Sequence, residues 1–205
     1  MLIENMYLCL FSLLVAGDRL RKMDFATDSD ETLMLRYAEG DTTAFEILYS
    51  RHKGSVYRYM LKLCHNEAVA EELFQEVWMK LINARKSYVV SAKFTTYIYR
   101  LAHNHYIDHY RKQNIRIVTE QSNELVDAID PDCNPEQQVQ MEQTINRFNQ
   151  VLNELSQEQR EVFLLKEETE MSLHEIAETI GINYETAKSR LRYAINKLRT
   201  VMDET

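Results

Sequence analysis

Turn-forming residues are scarce: Gly17, Gly40, Gly54 and Gly181, with Pro131 and Pro135, are the full set in 205 residues. A β protein built on hairpins needs such residues at short intervals, so long helices are the default expectation. Cysteine is equally thin. Cys9, Cys64 and Cys133 are odd in number, far apart and without a CxxC pair. That argues against a disulfide framework or a zinc site and fits a reducing cytoplasm. The one long apolar run, "MYLCLFSLLVAG" from Met6 to Gly17, falls well short of the ~20 residues that cross a bilayer. Export signals begin with cations, whereas only Glu4 precedes this run and Arg19, Arg21 and Lys22 follow it. Residues 1–22 are therefore expected to be an extension ahead of a working start at Met23. There is no Walker-type loop, GxSxG elbow or other nucleophile constellation, so catalysis is not expected. Positive charge is in deficit too: 24 Lys and Arg stand against 32 Asp and Glu, a formal net charge of −8.

What is present is helical signal in regular succession, with 45% apolar residues to supply a core. In "DSDETLMLRYAEGD", Asp28, Ser29 or Asp30 can cap a first helix that Gly40 stops. Asp41 can cap a second, carrying Ala44, Phe45, Leu48, Tyr49, Val56, Met60 and Leu61. A third follows Asn66 with Leu73, Val77, Trp78 and Leu81. After a polar loop, Arg85 to Lys93, a fourth runs from Phe94 to about Ile117. Composition then shifts: Thr119 to Glu142 holds seven acids, no Lys or Arg, and both prolines. Such a segment offsets little of its ordering entropy and is predicted to be a flexible acidic linker. Beyond it Met141, Ile145, Phe148, Leu152 and Leu155 repeat at helical spacing. Ser156 with Gln159, and Ser172 with Glu175, are two capping boxes. The expected architecture is all-α: two small helical domains at 23–117 and 137–205, joined by a linker at 118–136.

The C-terminal "SLHEIAETIGINYETAKSRLRYAINKLR" has the pattern of a helix-turn-helix. Leu173, Ile176, Ala177 and Ile180 make one apolar stripe. Gly181 falls where the turn needs positive φ, and Asn183 caps the last helix. In that helix Ala187, Leu191, Ala194 and Leu198 face inward. Glu185, Lys188, Ser189 and Arg192 face out, with Tyr184 at the tip. Five cations and no acid lie between Lys188 and Arg199, whereas Glu154 to Glu178 holds eight acids. A helix-turn-helix reads bases with the N-terminal part of its second helix, here Tyr184, Glu185, Thr186, Lys188, Ser189, Arg190 and Arg192. Lys197 and Arg199 read equally well as cations that complement the helix macrodipole.

Two further stretches, "AEELFQEVWMKL" (Ala70–Leu81) and "FTTYIYRLAHNHYIDHYRK" (Phe94–Lys112), complete a resemblance. With "AKSRL" near the C-terminus, they resemble the extracytoplasmic-function branch of the sigma-70 family of bacterial RNA polymerase sigma factors. The likeness spans about Asp30 to Arg199. It implies that Glu72, Gln75 and Glu76 dock on core RNA polymerase, within an acidic patch of Glu67, Glu71, Glu72 and Glu76 with no Lys or Arg between Glu67 and Met79. It implies a promoter-melting motif in Phe94, Tyr97, Arg100, Leu101, Ala102, Asn104, Asp108 and Arg111, with Tyr97 in place of the family's tryptophan. The loop bearing Tyr88 would receive a flipped base of the −10 element. Contacts to that melted single strand would come from Tyr88, Tyr97, Arg100, Asn104, Arg111 and Lys112, and −35 duplex contacts from the segment Tyr184 to Arg192. Stacking a base on an aromatic ring contributes ~1–3 kcal/mol, yet of Tyr97, Tyr99, Tyr106 and Tyr110 at least two are expected to be core. The resemblance also implies an anti-sigma factor as partner, a cytoplasmic location, and neither cofactor nor small-molecule substrate.

Two rival readings use the same residues. His105, Asp108 and His109 at i, i+3, i+4 have the spacing of metal ligands in helical hydrolases, but no second ligand cluster accompanies them. A plain helix-turn-helix regulator with a sensory N-terminal domain fits the C-terminal half alone. Core polymerase separates them, because a regulator would bind duplex DNA unaided.

Overall fold

The computed structural model describes residues 28–114 and 146–203 of the chain. The extension at 1–22, the linker at 118–136, and Arg116, Met141 and Ile145 lie outside the described residues. Among those described, every regular element is helical: α1 (Asp30–Ala38), α2 (Thr42–Cys64), α3 (Glu67–Ala84), a 3₁₀ turn at Arg85–Ser87, α4 (Phe94–Asn114), α5 (146–154), α6 (Gln157–Glu168), α7 (Leu173–Ile180) and α8 (Tyr184–Asp203). No helix among them is long and apolar enough to cross a membrane.

The punctuation residues act where their chemistry predicts. Ser29, of the three candidates, is the N-cap of α1, its hydroxyl accepting from the Thr32 amide at 3.2 Å. Gly40 turns the chain at φ 109°. The Asp41 and Asn66 side chains accept from the amides of Thr43 (3.1 Å) and Val69 (3.0 Å), starting α2 and α3. Each cap satisfies an amide that the first helical turn leaves without a partner.

The described residues fall into two compact units, divided inside α2 and α3 rather than at a chain segment between domains. The first takes residues up to Gly54 with Lys80–Phe94. Leu33, Met34 and Tyr37 of α1, Ala44 and Leu48 of α2, Leu81 and Phe94 form its core. Asp30 ties α1 to α2: its carboxylate meets His52 Nε2 at 2.6 Å and Arg51 Nη1 at 2.7 Å. Burial alone would raise this carboxyl, but hydrogen bonds and charge from His52 and Arg51 outweigh it and hold Asp30 below the usual carboxylate range. Two contacts with α1 pin the ends of the 85–93 loop. The Arg85 guanidinium lies 5.1 Å from the Tyr37 ring centre, and Glu31 accepts the Phe94 amide at 2.7 Å. Glu31 thus caps α4 from another helix.

The second unit takes Ser55–Met79 and the chain from Thr95 onward. Tyr59 of α2 and Tyr99 of α4 meet edge-to-face at 5.2 Å in its core, with Leu63 of α2, Leu73 and Val77 of α3, and Ala102 and Tyr106 of α4 also buried. Full burial of each large apolar side chain stabilises by about 1.5–3 kcal/mol. Buried Arg160 closes α5: its guanidinium donates to the carbonyls of Leu152, Asn153 and Leu155 at 2.8, 3.0 and 3.1 Å. A cation on the last carbonyls of a helix is favoured by the macrodipole and satisfies acceptors that would otherwise be orphaned.

His65, just after α2, has φ 51°, and both its ring nitrogens are buried without a hydrogen-bond partner. Burial, helped by the charge of Arg160, lowers its pKa to about 4. The unfolded chain binds a proton there near the ordinary histidine value, so between the two values the unfolded state holds more protons. Stability is then complete above the unfolded pKa and falls as pH drops towards 4. Acidification from neutrality to about pH 5 is expected to remove about 1–2 kcal/mol through this group. His65→Asn, which tolerates positive φ, should flatten that part of a melting-temperature-against-pH profile. An unchanged acid slope in the variant would show that His65 is not its source.

Candidate nucleic-acid and protein interfaces

The helix-turn-helix is assembled by local chemistry. Both predicted capping boxes are formed, at Ser156–Gln159 and Ser172–Glu175. In the second, the Ser172 hydroxyl accepts the Glu175 amide at 3.3 Å while Glu175 accepts the Ser172 amide at 2.7 Å. Gly181 ends α7 at φ 70°, and the Ile182 amide reaches back to the Ala177 carbonyl at 2.9 Å. This is the left-handed C-cap that glycine adopts without strain. A Cβ there would meet nothing within 4 Å, so backbone conformation alone selects glycine. Asn183 Oδ1 accepts from the Thr186 amide at 2.8 Å and starts α8.

On α8 the predicted inward stripe is buried: Ala187, Leu191, Ala194 and Leu198. Glu185, Lys188, Ser189 and Arg192 are exposed, and Tyr184, Thr186 and Arg190 are half-buried. Lys188 Nζ lies 3.7 Å from Glu185 and 5.9 Å from the centre of the Tyr184 ring. Tyr184 in turn stacks on His174 of α7, centroids 4.2 Å apart and planes within 16°. Sequence periodicity carried no signal for that stack, since the two residues belong to different helices. An open groove along α8 is lined by Gln159, Ser189, Arg190, Arg192, Tyr193 and Asn196; Gln159, Tyr193 and Asn196 are outside the set that the sequence pattern assigns to DNA. Lys197 is resolved as a structural tie, its Nζ 3.1 Å from both the carboxylate and the carbonyl of Glu154.

On α3, Glu67, Glu71, Glu72, Gln75 and Glu76 are all exposed. Gln75 Nε2 donates to Glu71 at 3.4 Å. The patch is not without a basic neighbour, as sequence proximity suggested: His105 Nδ1 of α4 lies 3.3 Å from Glu76 Oε2. Met79 extends the same face at helical spacing and is 55% exposed. A flexible apolar side chain left in water beside acids suits a protein partner, and only its exposure, invisible in sequence, marks it.

On α4, Tyr99 and Tyr106 are core residues, in line with the expected division of the four tyrosines. Tyr97 is half-buried, and the half-buried Tyr110 donates to the Cys64 carbonyl at 3.3 Å. Phe94 is fully buried and serves packing. Asn104, Asp108 and Arg111 are exposed, and with Tyr97 and Arg100 they follow one another at helical spacing along one face. Arg100 is 43% exposed and pairs with Glu178 of α7 at 3.5 Å. The side chain of Lys112 lies outside the described residues. Tyr88, on the loop of the first unit, is half-buried. The trio His105, Asp108 and His109 does not converge: His105 turns to Glu76 and His109 lies against the Tyr110 ring at 5.7 Å. Among the described residues no three such side chains are grouped to hold a metal ion.

A helix-turn-helix with a cationic outer face, joined to helices carrying an acidic face and an aromatic-cationic one, has the features of a DNA-reading factor. Comparison with known proteins places it within that class. Sigma-70 region 2 matches residues 48–115 and Sigma-70, region 4 matches residues 151–200, together more than half of the chain. The ECF RNA polymerase sigma factor SigW of Bacillus subtilis strain 168 is 28% identical over 168 residues, covering 78% of this chain and 90% of its own length. RNA polymerase sigma factor YlaC of the same strain is 27% identical over 163 residues, covering 79% and 94%. Among solved structures, CnrH in complex with the cytosolic domain of CnrY superposes with a TM-score of 0.62 at 21% identity, over 86% of this chain and 99% of that one. The sigma factor RpoE in complex with the anti-sigma factor NepR from Bartonella quintana gives 0.65 at 21%, over 78% and 96%. At that identity the two structures show a shared fold. The chain belongs to the sigma-70 family, in its extracytoplasmic-function branch, and is an RNA polymerase sigma factor.

Proposed function

We propose a division of labour among the three faces. Glu72, Gln75 and Glu76, extended by Met79, dock on core polymerase. Tyr88 on its loop, with Tyr97, Arg100, Asn104, Arg111 and Lys112, takes the melted strand of the −10 element. Tyr184 to Arg192 lies in the major groove of the −35 element. The observation that carries this reading is the outer face of α8, where Lys188, Ser189 and Arg192 are all exposed while their inward neighbours are buried. Opening a duplex requires rings for unstacked bases and cations for the freed backbone, and α4 offers both types along one face. The chain acts in the cytoplasm, where core polymerase is, and an anti-sigma protein restrains it, as the partners of CnrH and RpoE suggest.

Run-off transcription with purified core polymerase on a randomised promoter library tests the proposal. Enrichment of two conserved elements spaced by about two helical turns, ~70 Å, is expected. Transcripts without a −35-like element, or none above core polymerase alone, would contradict it.

A further inference from the structure

We infer that His174 is a positioning residue for promoter recognition, holding the Tyr184 ring ready for one base pair of the −35 element; this rests on the reading that Tyr184 to Arg192 lies in the major groove. His174 belongs to α7 and Tyr184 to α8, yet their rings are nearly parallel, centroids 4.2 Å apart and planes within 16°. Both partners sit in first helical turns that are pinned on either side. Ser172 and Glu175 bracket His174 with reciprocal capping bonds of 3.3 and 2.7 Å. Asn183 and Thr186 bracket Tyr184, the Thr186 amide donating to Asn183 Oδ1 at 2.8 Å. Between the two turns, Gly181 at φ 70° sets the direction in which the chain leaves α7.

The stack is not what seats α8. Ala187, Leu191, Ala194 and Leu198 do that and are buried, whereas His174 is exposed and Tyr184 half-buried. A long helical side chain points back towards the N-terminus, onto the turn before its own. Tyr184 is the first residue of α8 and has no such turn, so the His174 ring takes that place. A side chain recruited to an interface loses rotamer freedom on binding, and one already held loses less. The Lys188 ammonium lies 5.9 Å from the same ring centre, where the π face attracts it. His174, Tyr184 and Lys188 thus form one ordered cluster at the end of α8 that reads base edges in a helix-turn-helix. His174 touches no base; it acts through Tyr184.

Run-off transcription by the full-length protein with core polymerase, from a library randomised across the −35 element, tests this. Tyr184→Ala identifies the base pair concerned as the one whose preference it lowers, and Arg192→Ala identifies a reference base pair in the same way. His174→Ala should lower the preference at the Tyr184 base pair about three- to tenfold, the range expected from freeing one side chain, and leave the reference unchanged. His174→Gln, polar and without a ring, should behave alike. His174→Phe keeps a ring to stack on and should restore the parent preference, which a purely structural role for the imidazole would not allow. Adding His174→Ala to Tyr184→Ala should change nothing further, because the effect passes through that ring. Unchanged preference in His174→Ala and His174→Gln, with a shift in Tyr184→Ala, would overturn the inference and leave the reading of α8 standing. A uniform loss at all base pairs that His174→Phe does not restore, or a further loss in the double variant, would overturn it as well. Tyr184→Ala without effect at any base pair would remove both the inference and Tyr184 from the proposed reading face, so the two failures are distinguishable.

Discussion

Lys188→Ala combined with Arg192→Ala is expected to abolish −35-dependent initiation while leaving the hold on core polymerase intact. The two side chains stand one turn apart on the exposed face of α8, and neither contributes to the stripe that seats the helix. Alanine is also the best helix former, so α8 keeps its conformation. The exposed pairing of Lys188 with Glu185 contributes little to stability. Each lost base contact costs ~1–3 kcal/mol, so the pair should reduce initiation from a −35-containing promoter by at least about thirtyfold. Run-off transcription reads the first effect and co-elution with core polymerase the second. Equal loss of both would show that the faces are not separable.

The converse pair acts on α3. Glu72→Lys with Gln75→Ala should abolish co-elution with core polymerase, a loss of affinity on the order of a hundredfold or more, because a like charge is placed in an interface that expects an acid. Both positions are exposed, and the buried face of α3 at Leu73 and Val77 is untouched. Circular dichroism should therefore match the parent. Unchanged co-elution would move the docking face elsewhere on the protein.

Much of the fold was legible because it is written in short-range chemistry. Both capping boxes, the left-handed Gly181, the Asn183 cap and the inward stripe of α8 involve residues within one or two turns of each other. There local spacing determines geometry. What could not be read are contacts between distant helices. Glu31 caps Phe94 across 63 positions, His52 finds Asp30 across 22, and His174 lies under Tyr184 in a neighbouring helix. Periodicity specifies which face of a helix is buried, not which helix covers it. The same gap hides the partners of histidines and acids: His105 meets Glu76 on another helix, and Glu161, one of a run of acids, is among the most buried charges described.

An acidic chain that reads DNA is physically consistent once the charge is resolved by face. Net charge governs non-specific attraction, and a sum of −8 suppresses it. The few cations of α8 release few counterions, so the free factor should bind duplex weakly. Core polymerase provides the remaining grip and brings the faces to their elements.

Binding of a promoter recovered from the randomised library, measured with the full-length protein at fixed salt with and without core polymerase, tests this dependence most directly. Tight binding is expected only with polymerase present, and a gap of at least about a thousandfold between cognate promoter and random duplex should appear only in that complex. Equally tight and selective binding by the isolated chain would contradict it.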